Sequence, residues 1–241
     1  MRKRLLAATI FSIVMWLLNS CAPEVGIKEL GFRRSLDQAR EKFNQEKYVK
    51  AVEDLNVILL NFNGEQGIDS AQYLLAESHY KLQEFYNASY EFSKLTDNFP
   101  ESFLSEEAMY KSALCYYFLS PLPALDQKET QKAINKFQFY LDKYKAGKFA
   151  EESSAKMREL RNKLAEKEYS SGVLYMKMDQ PRAAKVYFTQ VIENYYDTDF
   201  YLLALRDVSA AYKLLEDSYN ADIYMKKYLE LNKNVQPADG K

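Results

Sequence analysis
Between Ser35 and Asn232 apolar residues recur three and four positions apart, with polar residues filling the intervals. That spacing is the period of helices with one buried face, and no valine-rich run alternates as a strand would. Only five glycines lie between residues 30 and 200, so long helices are rarely interrupted. Breakers mark the joints instead. Asn63-Gly64-Glu65-Gln66-Gly67 is a loose turn, Pro100 ends a helix, and Ser120-Pro121-Leu122-Pro123 interrupts a hairpin, because neither proline there can continue a helix. Ser35-Leu36-Asp37-Gln38 and Asp69-Ser70-Ala71-Gln72 resemble capping boxes. Ser105 precedes Glu106-Glu107, acids well placed at the positive end of a helix. Asp126-Gln127-Lys128-Glu129 restarts a helix after the prolines, and Ala150 to Met178 reads as one helix of about 40 Å.

One pattern repeats along this helical stretch: a small residue, aromatics, a turn, another aromatic, Ala, and a closing apolar run. Its clearest copy runs from Ala76 through Tyr80, Phe85 and Ala88 to Phe92 and Pro100. It looks like a tetratricopeptide repeat, two antiparallel helices per unit. The frame fits Ala39, Phe43, Tyr48 and Ala51 before it. It fits Ala113, Tyr116, Ala133 and Phe137 after it, then Gly172, Tyr175, Ala184 and Phe188, then Tyr212, Ala221 and Tyr228. The second-helix alanines stand 37, 45, 51 and 37 residues apart, longer than the usual 34. The expectation is an all-α, right-handed superhelix of about five helical hairpins, near 35–63, 69–100, 105–146, 152–197 and 199–232, inside a domain of 35–232.

The amino terminus has a different pattern. Arg2-Lys3-Arg4 precede an apolar run from Leu5 to Leu18, the layout of a secretory leader. The run is too short for a spanning helix, which needs about 20 residues. Leu18-Asn19-Ser20-Cys21 closes it as a lipoprotein processing site would, with Cys21 the lipid-bearing first residue of the mature chain. More than one acyl chain on Cys21 would anchor it stably. An ordinary cleaved leader is the rival reading. Residues 1–20 are then signal peptide, 21–34 a linker and 233–241 a flexible tail.

Composition narrows the function classes. Without residues 1–20 the chain has 30 basic against 34 acidic residues, not the basic excess of a nucleic-acid binder. With Cys21 acylated, Cys115 has no cysteine to pair with, so stability must come from packing. His79 is the only histidine, and a structural role is favoured for it. Cys115 on an apolar face reads as a small buried hydrophobe, with no second histidine to activate it. No phosphate-cradling glycine loop, nucleophile elbow or paired-histidine zinc motif is present, and no metal or cofactor is expected. A carboxylate-dependent glycan hydrolase remains the enzyme alternative; it requires two carboxyls about 5 to 10 Å apart across a deep cleft.

The order of these features carries a resemblance. Phe99-Pro100-Glu101-Ser102, Glu107-Ala108-Met109-Tyr110, Ala113-Leu114-Cys115-Tyr116-Tyr117, the proline insert, Leu125-Asp126-Gln127 with Thr130, Ala133 and Phe137-Gln138, and Leu164-Ala165-Glu166-Lys167-Glu168 follow one another. Together with the lipid site they resemble the BamD family, lipoprotein subunits of the outer-membrane β-barrel assembly machine, over essentially the whole mature chain. The chain departs from the family at Tyr144-Lys145 and Tyr195-Tyr196, where a Tyr-Pro turn is common. The resemblance implies a non-catalytic scaffold on the periplasmic face of the outer membrane. Its partners would be the periplasmic domains of a BamA-like barrel-forming subunit, the C-terminal signals of unfolded outer-membrane proteins, and the membrane itself through lipid on Cys21. Another periplasmic repeat lipoprotein, associated with the envelope or with division, is the alternative scaffold.

Most of the aromatics should be core. A smaller set, by repeat position, lines the concave face on which such arrays bind extended peptides: Arg40 and Phe43, then Tyr73, Glu77 and Tyr80, then Tyr110 and Tyr117. An aromatic groove with one or two cations would suit a peptide ending in an aromatic residue and a carboxylate.

Overall fold
The computed structural model describes residues 31–235. The leader 1–20, Cys21 and the tail from Gln236 lie outside the described residues. Ten α-helices make up the described part: α1 Phe32–Asn44, α2 Tyr48–Asn61, α3 Ile68–Lys81, α4 Phe85–Asn98, α5 Ser105–Leu119, α6 Lys128–Lys143, α7 Ala150–Lys177, α8 Pro181–Asn194, α9 Phe200–Leu214 and α10 Ser218–Val235. They pair as five helical hairpins. The chain divides into two compact units, residues 1–71 and 72–241.

Within residues 31–71, α1 packs on α2. Leu36 and Ala39 meet Ala51, Leu55 and Ile58 as buried apolar residues. Here the first capping box fails. Helix α1 begins at Phe32, inside the expected linker, and Ser35 Oγ donates to Gly31 O at 3.3 Å from within the first turn. The ring of Phe32 lies 5.9 Å from that of Phe62, a contact that favours starting the helix early. Asp69 likewise sits inside the first turn of α3 rather than ahead of it.

Within residues 72–241, each helix from α4 to α10 packs on the next. Three apolar clusters run along this series. Phe92 and Leu95 centre the first, Phe137, Tyr140 and Leu160 the second, and Phe188, Val191 and Val208 the third. Helix α7 is the long one expected, with 28 residues. Its Gly172 stays helical because the Phe188 ring fills the space a side chain would take: a Cβ would lie 2.5 Å from it.

Two turn types alternate. Four of the hairpins close with a left-handed residue, Glu46, Gln83, Asp179 or Glu216, at φ between 56° and 61°. In each, the two backbone N–H groups at the turn return to the last helical turn, as Gln83 N to Tyr80 O and Glu84 N to His79 O. This is the paired bonding of a Schellman cap, which satisfies orphan helix carbonyls. The α5–α6 hairpin lacks that turn, since the proline insert occupies it. Lys163 Nζ donates to Ser120 Oγ at 2.7 Å and Lys167 Nζ to Leu125 O at 2.6 Å, fastening the insert to α7.

The joints between hairpins share another pattern, seeded by an aromatic at the helix end. Ser102 N bonds Phe99 O, Gly147 N bonds Tyr144 O, and Thr198 N bonds Tyr195 O. The turn at Tyr144 and at Tyr195 therefore repeats the one beside Pro100 without a proline. Backbone bonding, rather than the ring, holds it.

Candidate functional site
Residues at i, i+4 and i+7 of a helix share a face, and Tyr73, Glu77 and Tyr80 do so on α3. Tyr110 and Tyr117 stand seven apart on α5. Tyr73 Oη donates to Glu107 Oε1 at 2.8 Å, and Lys111 Nζ reaches Glu77 Oε1 at 2.6 Å and Glu107 Oε1 at 3.3 Å. The Lys111 ammonium lies 5.4 Å from the centre of the Tyr73 ring. One cation is thus held between two carboxylates and an aromatic face.

The charges answer to this packing. Burial, reinforced by the Glu77 charge and the bond to Glu107, raises the Tyr73 hydroxyl far above the ordinary phenol range. Burial also pushes the Glu107 carboxyl up, but the Tyr73 hydroxyl and the Lys111 ammonium outweigh it and hold it below the usual range. Burial, with Cys115, Glu77 and Glu152 nearby, pushes Tyr80 up to about 12.

Helix α7 supplies further groups around Tyr110 and Tyr117. Tyr117 Oη donates to Glu159 Oε2 at 2.6 Å, which together with burial pushes its hydroxyl up to about 12. Lys156 Nζ sits 4.4 Å above the Tyr117 ring and 3.8 Å from Glu152. Tyr110 is 4% exposed and stacks on Phe149 at 4.4 Å, so its ring is core and chiefly shapes what lies over it. Tyr80, Phe85 and Phe118 form an aromatic trio with centroids 5.1 to 6.1 Å apart, and Phe118 is half exposed.

Residues 72–241 therefore bring together five of the seven expected groove residues. Arg40 and Phe43 belong to residues 1–71. There Arg40 pairs with Asp37 at 3.2 Å on an exposed face, and Phe43 packs edge-on against Tyr48 at 5.2 Å. The expected match to a peptide carboxylate is changed by this arrangement. Lys111 and Lys156 already face carboxylates, and Glu77, Glu107, Glu152 and Glu159 outnumber them. The surface suits aromatic side chains and N–H donors, with no cation left for a free carboxylate.

Sequence reasoning missed Lys111, Glu107, Phe118 and the α7 acids. A signal for two of them was present: Tyr73 and Glu107, and Glu77 and Lys111, each stand 34 residues apart, the repeat's own period. Equivalent positions of successive first helices face each other, so a tyrosine and an acid, or an acid and a lysine, one period apart are candidates for a bond.

His79 has the structural role expected of it. Its Nδ1 lies 2.6 Å from Glu84 Oε2 across the α3–α4 turn, and that bond, with Asn87, holds the Glu84 carboxyl below its usual range. Cys115 is fully buried, and burial, with the Glu77 charge, pushes its thiol up to about 12.

Comparison with known proteins identifies the lineage. The YfiO outer membrane lipoprotein family matches residues 34–227. The chain belongs to this family. A family relative, the outer membrane protein assembly factor BamD of Rickettsia prowazekii (strain Madrid E), is 29% identical over 173 residues, covering 72% of this chain; the match spans 66% of that relative's own length. Solved helical-repeat structures are more distant. The TPR2AB domain of yeast Sti1 has a TM-score of 0.43 at 13% identity, covering 84% of this chain and 78% of that one. A thermophilic TPR protein of Thermus thermophilus has a TM-score of 0.36 at 15% identity, covering 83% and 91%. The family is one of outer membrane lipoproteins, and among the described residues no helix is long and apolar enough to cross a membrane.

Proposed function
We propose that this chain is a non-catalytic subunit of outer-membrane protein assembly. It is held at the membrane by lipid on Cys21, and it binds a barrel-forming subunit and segments of unfolded outer-membrane proteins. Family membership over residues 34–227 is the observation that carries this reading. The surface of Tyr73, Tyr80, Tyr117 and Phe118 adds to it: aromatic faces beside acids offer stacking and hydrogen-bond acceptance to an extended aromatic-rich chain. Every ionised group there is engaged by a neighbour, an arrangement suited to holding a chain rather than to transferring protons.

Capture of the native protein from detergent-solubilised membranes tests the reading. It should bring down a large β-barrel protein with periplasmic repeats, and a photocrosslinker at position 117 should trap unfolded outer-membrane chains. A preparation carrying only division or wall-associated proteins would favour the alternative scaffold. Cys21→Ala should leave the fold intact and move the protein out of the membrane fraction; an unchanged fraction would remove the lipid anchor from the proposal.

A further inference from the structure
A second polar centre lies where α4, α5 and α6 meet. A cavity of about 210 Å³ opens there, with Ser93, Ser112 and Lys136 among its polar lining and Met109 and Phe139 as apolar wall. Lys136 Nζ donates to Ser93 Oγ at 3.0 Å and to Ser112 Oγ at 2.9 Å. Ser112 Oγ in turn lies 2.9 Å from both Ser89 Oγ and Ser93 Oγ. The two hydroxyls that receive the ammonium are thus bound into a chain of serines, and they bring no negative charge to it.

An ammonium removed from water is ordinarily paired, because its desolvation is costly. Lys111, one residue from Ser112 on α5, has two carboxylates. Lys136 has none within ion-pair distance among the described residues; its neighbours are hydroxyls and the Tyr116 ring, 5.7 Å away. Burial holds its pKa below the ordinary lysine value. Two of its three N–H groups go to serines, so one donor and one unit of charge stand unmatched beside an open cavity.

We propose that this cavity is a carboxylate-binding site, in which Lys136 pairs with one carboxylate and Met109 and Phe139 take the apolar group attached to it. One uncompensated positive charge balances one negative charge. Inorganic phosphate, which carries more than one at neutral pH, would be left unbalanced beside Asp97, the acidic member of the lining. Met109 is 7% exposed and Phe139 61% exposed, so the apolar group enters against a fixed wall and under an exposed ring. The inference rests on this cavity and is independent of the role proposed above.

Methyl-labelled methionine spectra of the intact protein, with the Met109 signal identified through Met109→Leu, provide the test. Phenylacetate should shift the Met109 methyl saturably. Phenylacetamide, of the same shape without the charge, should not, and inorganic phosphate should bind more weakly than phenylacetate. Lys136→Met should weaken phenylacetate about tenfold or more, the scale of a lost charge-assisted hydrogen bond. Asp97→Asn should tighten it about two- to fivefold, as expected for removing an exposed like charge. That second variant leaves the serine network untouched, so the test stands even if Lys136→Met fails to fold. A peptide with a free C-terminal Phe and the same peptide amidated separate two sources of the carboxylate, a chain terminus or a small free acid. No saturable shift with phenylacetate, an equal shift with the amide, tighter binding of phosphate, or indifference to Asp97→Asn would each overturn the assignment.

Discussion
Lys111 and Lys136 serve two sides of α5, and they are compensated in opposite ways. Lys111 stands between Glu77 and Glu107 on the aromatic surface, while Lys136 reaches Ser112 from α6 and finds only hydroxyls. Both are largely buried lysines in the same series of hairpins. The first is part of a closed charge system in which each group answers another. The second is a charge held out of water with its partner missing. A buried cation alone therefore says little; what it faces decides whether it is structure or an open site.

Removing one partner of a largely buried pair strands the other, so Lys111→Met should have the largest effect. Glu77 would remain buried without its cation, and stability should fall by about 2 to 3 kcal/mol, below the range for a fully buried pair because Glu107 is partly exposed. Urea unfolding at neutral pH measures this. A loss below about 1 kcal/mol would show that the Lys111 system contributes no more than a surface pair.

Acid titration probes the same side. The folded Glu107 carboxyl is held below its unfolded value of 4.5, so the unfolded chain takes up protons first as pH falls. Its contribution is fully present above pH 4.5 and is lost as pH drops through the folded pKa. Glu107→Gln should cost about 1 kcal/mol at neutral pH, and the difference from the parent chain should close toward pH 3. A gap that persists there would mean the cost is one of shape rather than charge.

Lys136→Met is expected to lie within about 1 kcal/mol of the parent chain, because relief of desolvation offsets two charge-assisted bonds. A loss as large as that of Lys111→Met would erase the contrast between the two lysines. The smallest effect is at Cys115. Burial and Glu77 push its thiol up, while Lys136 and Lys111 draw it down. At pH 8 a soluble thiol reagent should label it only on unfolding, and slow native-state labelling should become slower still in Lys136→Met. Rapid native labelling would contradict its burial.

Much of the architecture was readable in the chain. Aromatic and alanine positions recurring at helical spacing predicted the hairpins. The two prolines at 121 and 123 predicted the elaborated third turn, and the breaker-free stretch from Ala150 predicted α7. These signals are local, because a helix is made by residues three and four apart. Ser35 was misread for the same reason: a local cap pattern cannot register that Phe32 packs against Phe62, thirty residues on. Tyr110 was misread as a groove residue because its repeat position leaves open whether a ring from α7 covers it, as Phe149 does.

The sequence by itself determined the helical period, the hairpin count and the family resemblance that the match over residues 34–227 confirms. Only the tertiary structure decided which charges meet. Glu77 and Lys111 are 34 residues apart, and Lys136 and Ser93 are 43 apart. Nothing in either residue's own neighbourhood tells that one lysine faces two acids and the other a row of serines. Electrostatic compensation depends on distance through space and on exclusion of water, and both exist only once the helices have packed.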